Sequence, residues 1–183
     1  MPKRIEVRIS GLGGQGVVLA GEMLGRATAY DGKHVVQTQS YGAEARGSAT
    51  KSEVIISDSK ICFPKVRKCD ILVAMSQSAV EKHLKDLKEK GTLIVDEDLV
   101  KNIPKTQARI FRIPATKTAE KLLKSRLYAN VVMLGALTKI TGIVKETTVE
   151  KAIVDSVHGS AREANIKGFR AGLRIVGARA PRC

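Results

Sequence analysis

The chain has 183 residues, of which 43% are hydrophobic, and 32 Lys and Arg against 18 Asp and Glu give a formal net charge of +14. This length suits one domain, and the apolar content excludes a disordered or collagen-like chain. No apolar stretch reaches the ~18–20 residues that cross a bilayer and no signal-peptide core is present, so we expect a cytoplasmic protein without a membrane partner.

The first part of the chain predicts a strand, a glycine turn, a helix and a second strand. Residues 4–10 alternate apolar and polar side chains, which is typical of a strand. Glycines at 11–16 interrupt that pattern, and residues 17–27 repeat apolar side chains at helical spacing. Residues 34–39 predict the next strand and complete a βαβ unit.

The middle of the chain predicts four more strands and one helix. The predicted strands are 50–57, 71–75, 92–95 and 109–113. Ser76 is a candidate N-cap for the helix and Gly91 a candidate C-cap. His83 is expected on a mostly exposed part of this helix, and no neighbouring pattern makes it a metal ligand or a base.

The pattern becomes helical beyond Pro114 and stays so to about residue 173. Residues 131–140 are apolar on most sides, which indicates a buried helix. The alternation predicts an α/β fold, a Rossmann-like doubly wound sheet with a helical C-terminal elaboration. We expect a single domain over 1–176 and a frayed basic tail at 177–183.

A glycine motif joins the first predicted strand to the first helix. Residues 11–16 match G-x-G-x-x-G in the required position between a strand and a helix. Glycines let the backbone approach a ligand, and the N–H groups that start a helix favour an anion such as pyrophosphate. The candidate cofactor-binding residues are Gly11, Gly13, Gly14, Gln15, Gly16 and Val17.

Three interpretations of the glycine motif remain open. The glycines serve tight packing of strand on helix, or they bind a phosphorylated ligand other than NAD, or they bind a dinucleotide. The dinucleotide interpretation requires an acid at the end of the second strand to hold the ribose hydroxyls. That strand ends with Gln-Thr-Gln-Ser at 37–40, with Asp31 too early and Glu44 in the following loop, so the pattern disfavours NAD.

A second polar constellation follows the second predicted strand. Tyr41, Glu44, Arg46 and Gly47 lie in one loop, on the carboxyl edge of the sheet where ligands bind in open α/β folds. One interpretation is an ion pair between Arg46 and Glu44 that holds the loop. The other is contact with a ligand or with another subunit.

Independent catalysis and metal binding find little support in the residue spacing. Cys62, Cys69 and Cys183 lack C-x-x-C spacing, so we expect free thiols and no metal site. No Ser/His/Asp or Cys/His pattern is present, so no catalytic residue is assigned. The sequence favours a binding or accessory domain.

The positive charge is concentrated at 101–126 and 162–183. It is interpreted either as a solvated surface or as a surface for an anion or an acidic partner. Nucleic acid is disfavoured because there is no Trp and the six Tyr and Phe are scattered, whereas single strands bind on aromatic platforms.

Several motifs in the same order resemble the gamma subunit of the 2-oxoacid:ferredoxin oxidoreductases. The matching segments are 11–17, 39–47, 52–57, 113–116 and 129–137. The sequence of residues 39–47 is more similar to the 2-oxoglutarate type of gamma subunit than to the pyruvate type. The sequence departs from the family pattern at Ala43 and Ser48, where Pro and Gly are common.

The resemblance implies a complex that converts a 2-oxoacid to an acyl-coenzyme A, carbon dioxide and reduced ferredoxin. It places thiamine diphosphate and the iron–sulfur clusters on alpha, beta and delta-type partner subunits, with ferredoxin an indirect partner. The glycine motif would then receive coenzyme A, and Tyr41, Glu44 and Arg46 would shape the cleft or contact the thiamine-bearing subunits. Self-association of the isolated chain is left open. The alternatives are a stand-alone dinucleotide-binding oxidoreductase and a basic nucleic-acid-binding module.

Overall fold

Six strands and six α-helices make up the part of the chain that the computed structural model describes, residues 4–42 and 47–179. In chain order they are β1 (Arg4–Leu12), α1 (Val17–Tyr30), β2 (His34–Tyr41), β3 (Ala49–Ser57), β4 (Cys69–Ala74), α2 (Gln77–His83), β5 (Leu87–Asp96), β6 (Arg109–Ile113), α3 (Ala115–Leu123), α4 (Ala129–Thr141), α5 (Glu146–Ser156) and α6 (Ala161–Arg179). None of these described helices has both the length and the apolar character needed to cross a membrane.

The strands form one sheet in the order β2-β3-β1-β4-β5-β6. Strands β1, β4, β5 and β6 are parallel neighbours, whereas β3 is antiparallel to both β1 and β2. Strand β2 therefore runs in the direction of β1, and the predicted βαβ unit is present with β3 inserted between its two strands. The predicted α/β fold is confirmed, with a mixed sheet.

Helices cover both faces of the sheet because alternate residues of the inner strands are apolar on each side. On one face Val7, Ile9 and Val73 pack in a core with α1 and α3 to α6. On the other face Leu72 and Leu93 pack in a smaller core with α2. The predicted N-cap of α2 is confirmed, since the Ser76 hydroxyl accepts a hydrogen bond from the N–H of Ala79 at 3.1 Å.

The C-terminal helices pack at backbone contact. Residues 129–138 of α4 are all buried, as their apolar pattern predicts. Gly135 of α4 lies against α6, so a Cβ built there would be 2.1 Å from the carbonyl oxygen of Phe169. Helix α6 continues to Arg179, and 180–183 lie outside the described residues.

Two predictions for the middle of the chain are wrong. Helix α2 ends at His83 and β5 begins at Leu87, so Gly91 lies inside a strand and is not a C-cap. The spacing of apolar and Lys residues there suits a helix locally, but Leu87 pairs with Cys69 across the sheet and is buried. His83 is 6% exposed, because it packs under the sheet beside Arg8.

Candidate functional site

The glycine turn connects β1 to α1 at the carboxyl edge of the sheet. Gly14 and Gly16 have φ of 93° and 72°, a backbone region that side chains disfavour. Gly16 is the N-cap of α1 and provides no side-chain cap, and the first turn of α1 carries no acidic residue. The N–H groups of that turn have no intrahelical partner, so they and the helix dipole favour an anion.

Gln15 fixes the shape of the turn from inside. Its Oε1 accepts a hydrogen bond from the N–H of Leu12 at 2.7 Å, and its Nε2 donates to the carbonyl oxygen of Met75 at 2.8 Å. A Cβ on Gly11 would lie 2.4 Å from Gln15 Oε1. Both ends of the Gln15 amide are therefore engaged by the protein, and the turn presents its backbone to the cleft.

Asn130 of α4 supports the glycine turn through a hydrogen bond to its backbone. This first-turn residue of α4 is 3% exposed, and its Nδ2 donates to the carbonyl oxygen of Gly16 at 3.2 Å. A Cβ on Gly16 would lie 2.4 Å from that nitrogen. Sequence reasoning assigned Asn130 no role of its own, although a polar residue at the head of an apolar helix is a signal that could have identified it.

The segment that joins β2 to β3 meets the glycine turn. The N–H of Gly13 donates to the carbonyl oxygen of Ser48 at 2.8 Å, and a Cβ on Gly13 would lie 3.5 Å from the Gly47 nitrogen. The structure thus brings Gly47 of the second predicted constellation to the first. Glu44 and Arg46 lie outside the described residues.

A cleft of about 780 Å³ opens over this junction. Its walls come from the glycine turn, the first residues of α1 and the ends of β2 and β3. Lining residues are Leu12, Gly13, Gly14, Gly16, Val17, Val18, Leu19, Glu22, Tyr41, Gly42, Ser48 and Thr50. The Tyr41 side chain stands at the rim, where the residue is 62% exposed. The cleft therefore offers helix N–H groups beside apolar and aromatic surface.

A buried ionic cluster lies on the α2 face, under β1. The Arg8 guanidinium donates to Glu53 at 2.7 Å and also to Asp86, and its Nη1 is 3.5 Å from His83 Nδ1. Burial, and then the charge of Arg8, lower the pKa of His83 to about 4. Since these groups are already paired, the cluster is a structural element and leaves His83 neutral.

Asp96 is another carboxylate at the carboxyl edge, and it is engaged by α3. It accepts hydrogen bonds from the hydroxyl of Thr116 at 2.6 Å and from the N–H of Asp98 at 3.1 Å. Burial raises the pKa of Asp96 despite these hydrogen bonds. Asp96 therefore fixes the start of α3 to the end of β5.

The cysteines of the described residues do not fit an iron–sulfur cluster. Cys69 is buried in the sheet and Cys62 is exposed, while Cys183 lies outside the described residues. Burial raises the pKa of the Cys69 thiol to about 12, so it stays protonated. Within 4–42 and 47–179 no three His, Cys, Asp or Glu side chains are grouped to hold a metal.

Comparison with known proteins gives consistent matches over nearly the whole chain. Residues 6–175 match the family described as pyruvate ferredoxin/flavodoxin oxidoreductase. The 2-oxoglutarate synthase subunit KorC of Methanocaldococcus jannaschii is 53% identical over 175 residues, 94% of each chain. The KorC subunit of Methanothermobacter thermautotrophicus is 50% identical over 180 residues, 94% of this chain and 95% of the relative.

A solved structure extends the similarity to the fold. The keto/oxoacid ferredoxin oxidoreductase gamma subunit from Geobacter sulfurreducens PCA superposes with a TM-score of 0.85 at 43% identity. The match covers 95% of this chain and 99% of that one. The resemblance in sequence motifs and the observed fold therefore point to the same group of proteins.

Proposed function

The chain belongs to the pyruvate ferredoxin/flavodoxin oxidoreductase family, and we propose that it is the gamma subunit of a 2-oxoacid:ferredoxin oxidoreductase that acts on 2-oxoglutarate. The KorC relatives named as 2-oxoglutarate synthase subunits support the oxoacid. The end-to-end match with an isolated gamma subunit supports the subunit assignment. The complex forms an acyl-coenzyme A and carbon dioxide and reduces ferredoxin.

In this proposal the redox chemistry belongs to partner subunits of alpha, beta and delta type. Thiamine diphosphate and iron–sulfur clusters are theirs, and ferredoxin is reached through them. Two observations support this division of labour. The described cysteines do not fit a cluster, and the described lining of the cleft has Glu22 as its single carboxylate, which already accepts a hydrogen bond from Arg26.

Coenzyme A binding at the glycine turn is the second part of the proposal. The observation that carries it is the uncapped start of α1, which opens into a cleft of about 780 Å³. The N–H groups of the turn would bind the pyrophosphate, and the open space around Gly14 leaves room for it. The Tyr41 ring at the rim would contact a less polar part of the ligand.

The dinucleotide alternative has no support at the end of β2. A ribose would need a carboxylate there, but Gln37 donates its amide to the Ser52 hydroxyl at 2.9 Å, and Gln39 and Ser40 follow it.

Affinity purification of the tagged chain from its native cell tests the subunit assignment. We expect it to co-purify with subunits that contain thiamine diphosphate, in a complex that reduces ferredoxin with 2-oxoglutarate and coenzyme A. The tagged chain alone should be inactive. Recovery of the chain without any thiamine-binding partner would refute the assignment, and a complex active only on another oxoacid would refute the substrate.

A further inference from the structure

Asn130 is an exception in the buried part of helix α4. Residues 129–138 are all buried, and the polar side chains among them are those of Asn130 and Thr138. Thr138 satisfies its hydroxyl within the helix, where it donates to the carbonyl oxygen of Leu134 at 2.8 Å. Asn130 instead reaches outside its own helix, because its Nδ2 donates to the carbonyl oxygen of Gly16 at 3.2 Å. The amide of Asn130 therefore serves the glycine turn rather than α4.

This placement of an amide is unfavourable for folding. The Asn130 Oδ1 atom is buried and has no hydrogen-bond partner among the described residues. A buried acceptor without a partner loses its hydration without compensation, and Asn also has a lower helix propensity than Leu or Ala. An apolar side chain would suit this buried helical position better. Packing of α4 alone therefore does not account for an asparagine at position 130.

The backbone of Gly16 is placed to receive this amide. A Cβ on Gly16 would lie 2.4 Å from Asn130 Nδ2, so the absence of a side chain makes room for the contact. The Gly16 carbonyl oxygen also accepts a hydrogen bond from the N–H of Ala20 at 3.0 Å, at the start of α1. Its orientation therefore sets the direction in which α1 begins. The N–H groups that the first turn leaves unpaired follow that direction, and they include those of Val17 and Val18, which line the cleft.

We propose that Asn130 is a positioning residue for the anion site of the glycine turn: by holding the Gly16 carbonyl, it keeps the N–H groups at the start of α1 directed at the phosphates of the ligand. The inference rests on the proposed binding of the coenzyme A pyrophosphate at this turn. Asn130 is 3% exposed, so it acts through Gly16 and does not contact the ligand itself. Donors that are already oriented bind an anion more tightly, because less ordering is needed on binding.

Steady-state kinetics of the assembled complex with varied coenzyme A test this role. Asn130→Leu keeps a side chain of similar size, removes the donor to Gly16 and also removes the unpartnered oxygen. We expect the KM for coenzyme A to rise about fivefold, the effect of one lost hydrogen bond, while the KM for 2-oxoglutarate stays unchanged. Any fall in kcat should be smaller than the rise in the KM for coenzyme A.

Asn165→Leu is the matched control. Asn165 is 5% exposed, and its Nδ2 also donates to a backbone carbonyl, that of Ala161 at 2.7 Å. It lies in α6 and is not among the described residues that line the cleft, so its variant should leave both KM values unchanged. Asn130→Ala is a second variant that removes the donor without adding bulk beside Gly16. It should raise the KM for coenzyme A as Asn130→Leu does.

A purely structural role would overturn the inference: the Asn130 variants would then change the stability or the yield of the complex and leave the KM for coenzyme A as in wild type. An equal rise in that KM for Asn165→Leu would also overturn it. Gly14→Asp separates the inference from the proposed function. If Gly14→Asp raises the KM for coenzyme A and the Asn130 variants do not, the positioning role is wrong and the proposed binding site stands. If none of them raises it, coenzyme A does not bind at the turn and both proposals are wrong.

Discussion

Gly135 of α4 and Gly172 of α6 face each other at backbone contact: a Cβ built on Gly172 would lie 3.0 Å from the Gly135 Cα and 2.1 Å from the Val132 carbonyl oxygen. Neither helix can therefore accept a methyl group at this crossing without moving away from the other. The crossing closes the main core, since Phe169 of α6 is fully buried against α4.

Gly172→Ala should destabilise the fold by about 1–3 kcal/mol, the usual cost of overpacking, despite the better helix propensity of Ala. Gly177→Ala is the matched control, because it lies in the same helix with no atom within 4 Å of a built Cβ. The control should be neutral or stabilising by up to ~1 kcal/mol. Urea unfolding measures both, and equal effects of the two variants would contradict the close crossing.

Gly14→Asp should raise the KM for coenzyme A in the assembled enzyme by about tenfold, because it places a carboxylate beside the proposed pyrophosphate site. Gly32→Asp is the matched control. Gly32 has a φ of 76° and Gly14 a φ of 93°, and both have open space around the Cβ position. Gly32 follows the C-terminal end of α1, away from the cleft. Steady-state kinetics with varied coenzyme A compares them. An unchanged KM for the Gly14 variant in an intact complex removes the turn from the binding site.

Gly16→Ala should be strongly destabilising, because φ of 72° and the approach of Asn130 Nδ2 to 2.4 Å both oppose a Cβ. The left-handed conformation alone costs ~1–2 kcal/mol, and the clash adds to it. Asn130→Ala removes the two closest atoms and leaves the Asn130 Cβ at 3.3 Å, so in that background Gly16→Ala should cost little beyond the conformational part. The double-mutant cycle by urea unfolding should give a coupling energy of at least about 1 kcal/mol. Additive single effects would show that the two residues do not contact each other.

Acid should destabilise the protein through His83. Its pKa is about 4 in the fold, because of burial and the charges of Arg8, Lys51 and Lys82, which outweigh Asp86. The unfolded chain, with a pKa near ~6.5, binds a proton first as pH falls, so stability falls between about pH 6.5 and 4 and levels off below that. Between pH 7.5 and pH 4.5, the free energy of unfolding should fall by an amount on the order of 2–3 kcal/mol.

His83→Gln isolates this effect because it keeps a polar side chain and removes the titration. Urea unfolding from pH 7.5 to 4.5 should show a shallower loss of stability for the variant than for wild type. Carboxylates away from the Arg8 cluster contribute equally to the slope of both proteins, so the difference reports His83 together with the groups that it contacts. Parallel curves would contradict a buried neutral histidine.

Local sequence patterns predict most of the elements because their causes are local. The alternation in β1, the glycine turn and the helical spacing in α1 each depend on near neighbours in the chain. The Ser76 cap and the buried helix α4 were predicted for the same reason. These features position the glycine turn correctly without any knowledge of the sheet.

What could not be predicted depends on distant contacts. The insertion of β3 between β1 and β2 follows from pairings such as Arg8 with Glu53, which no local period encodes. Gly91 was assigned to a helix end from the local pattern, whereas the strand that contains it depends on pairing with β4. Asn130 reaches Gly16 across 114 positions, so its support of the turn becomes visible only in three dimensions.

The inserted strand sets the width of the cleft. Thr50 of β3 pairs with Gly11 on one side and with Tyr41 on the other. In a sheet where β1 and β2 were neighbours, these two backbones would lie one strand spacing apart. Here they are two spacings apart, roughly 9.6 Å, and Thr50 forms part of the floor between them. A molecule that contacts both the glycine turn and Tyr41 must be long enough to span that distance. The position of β3 therefore sets the minimum length of such a ligand.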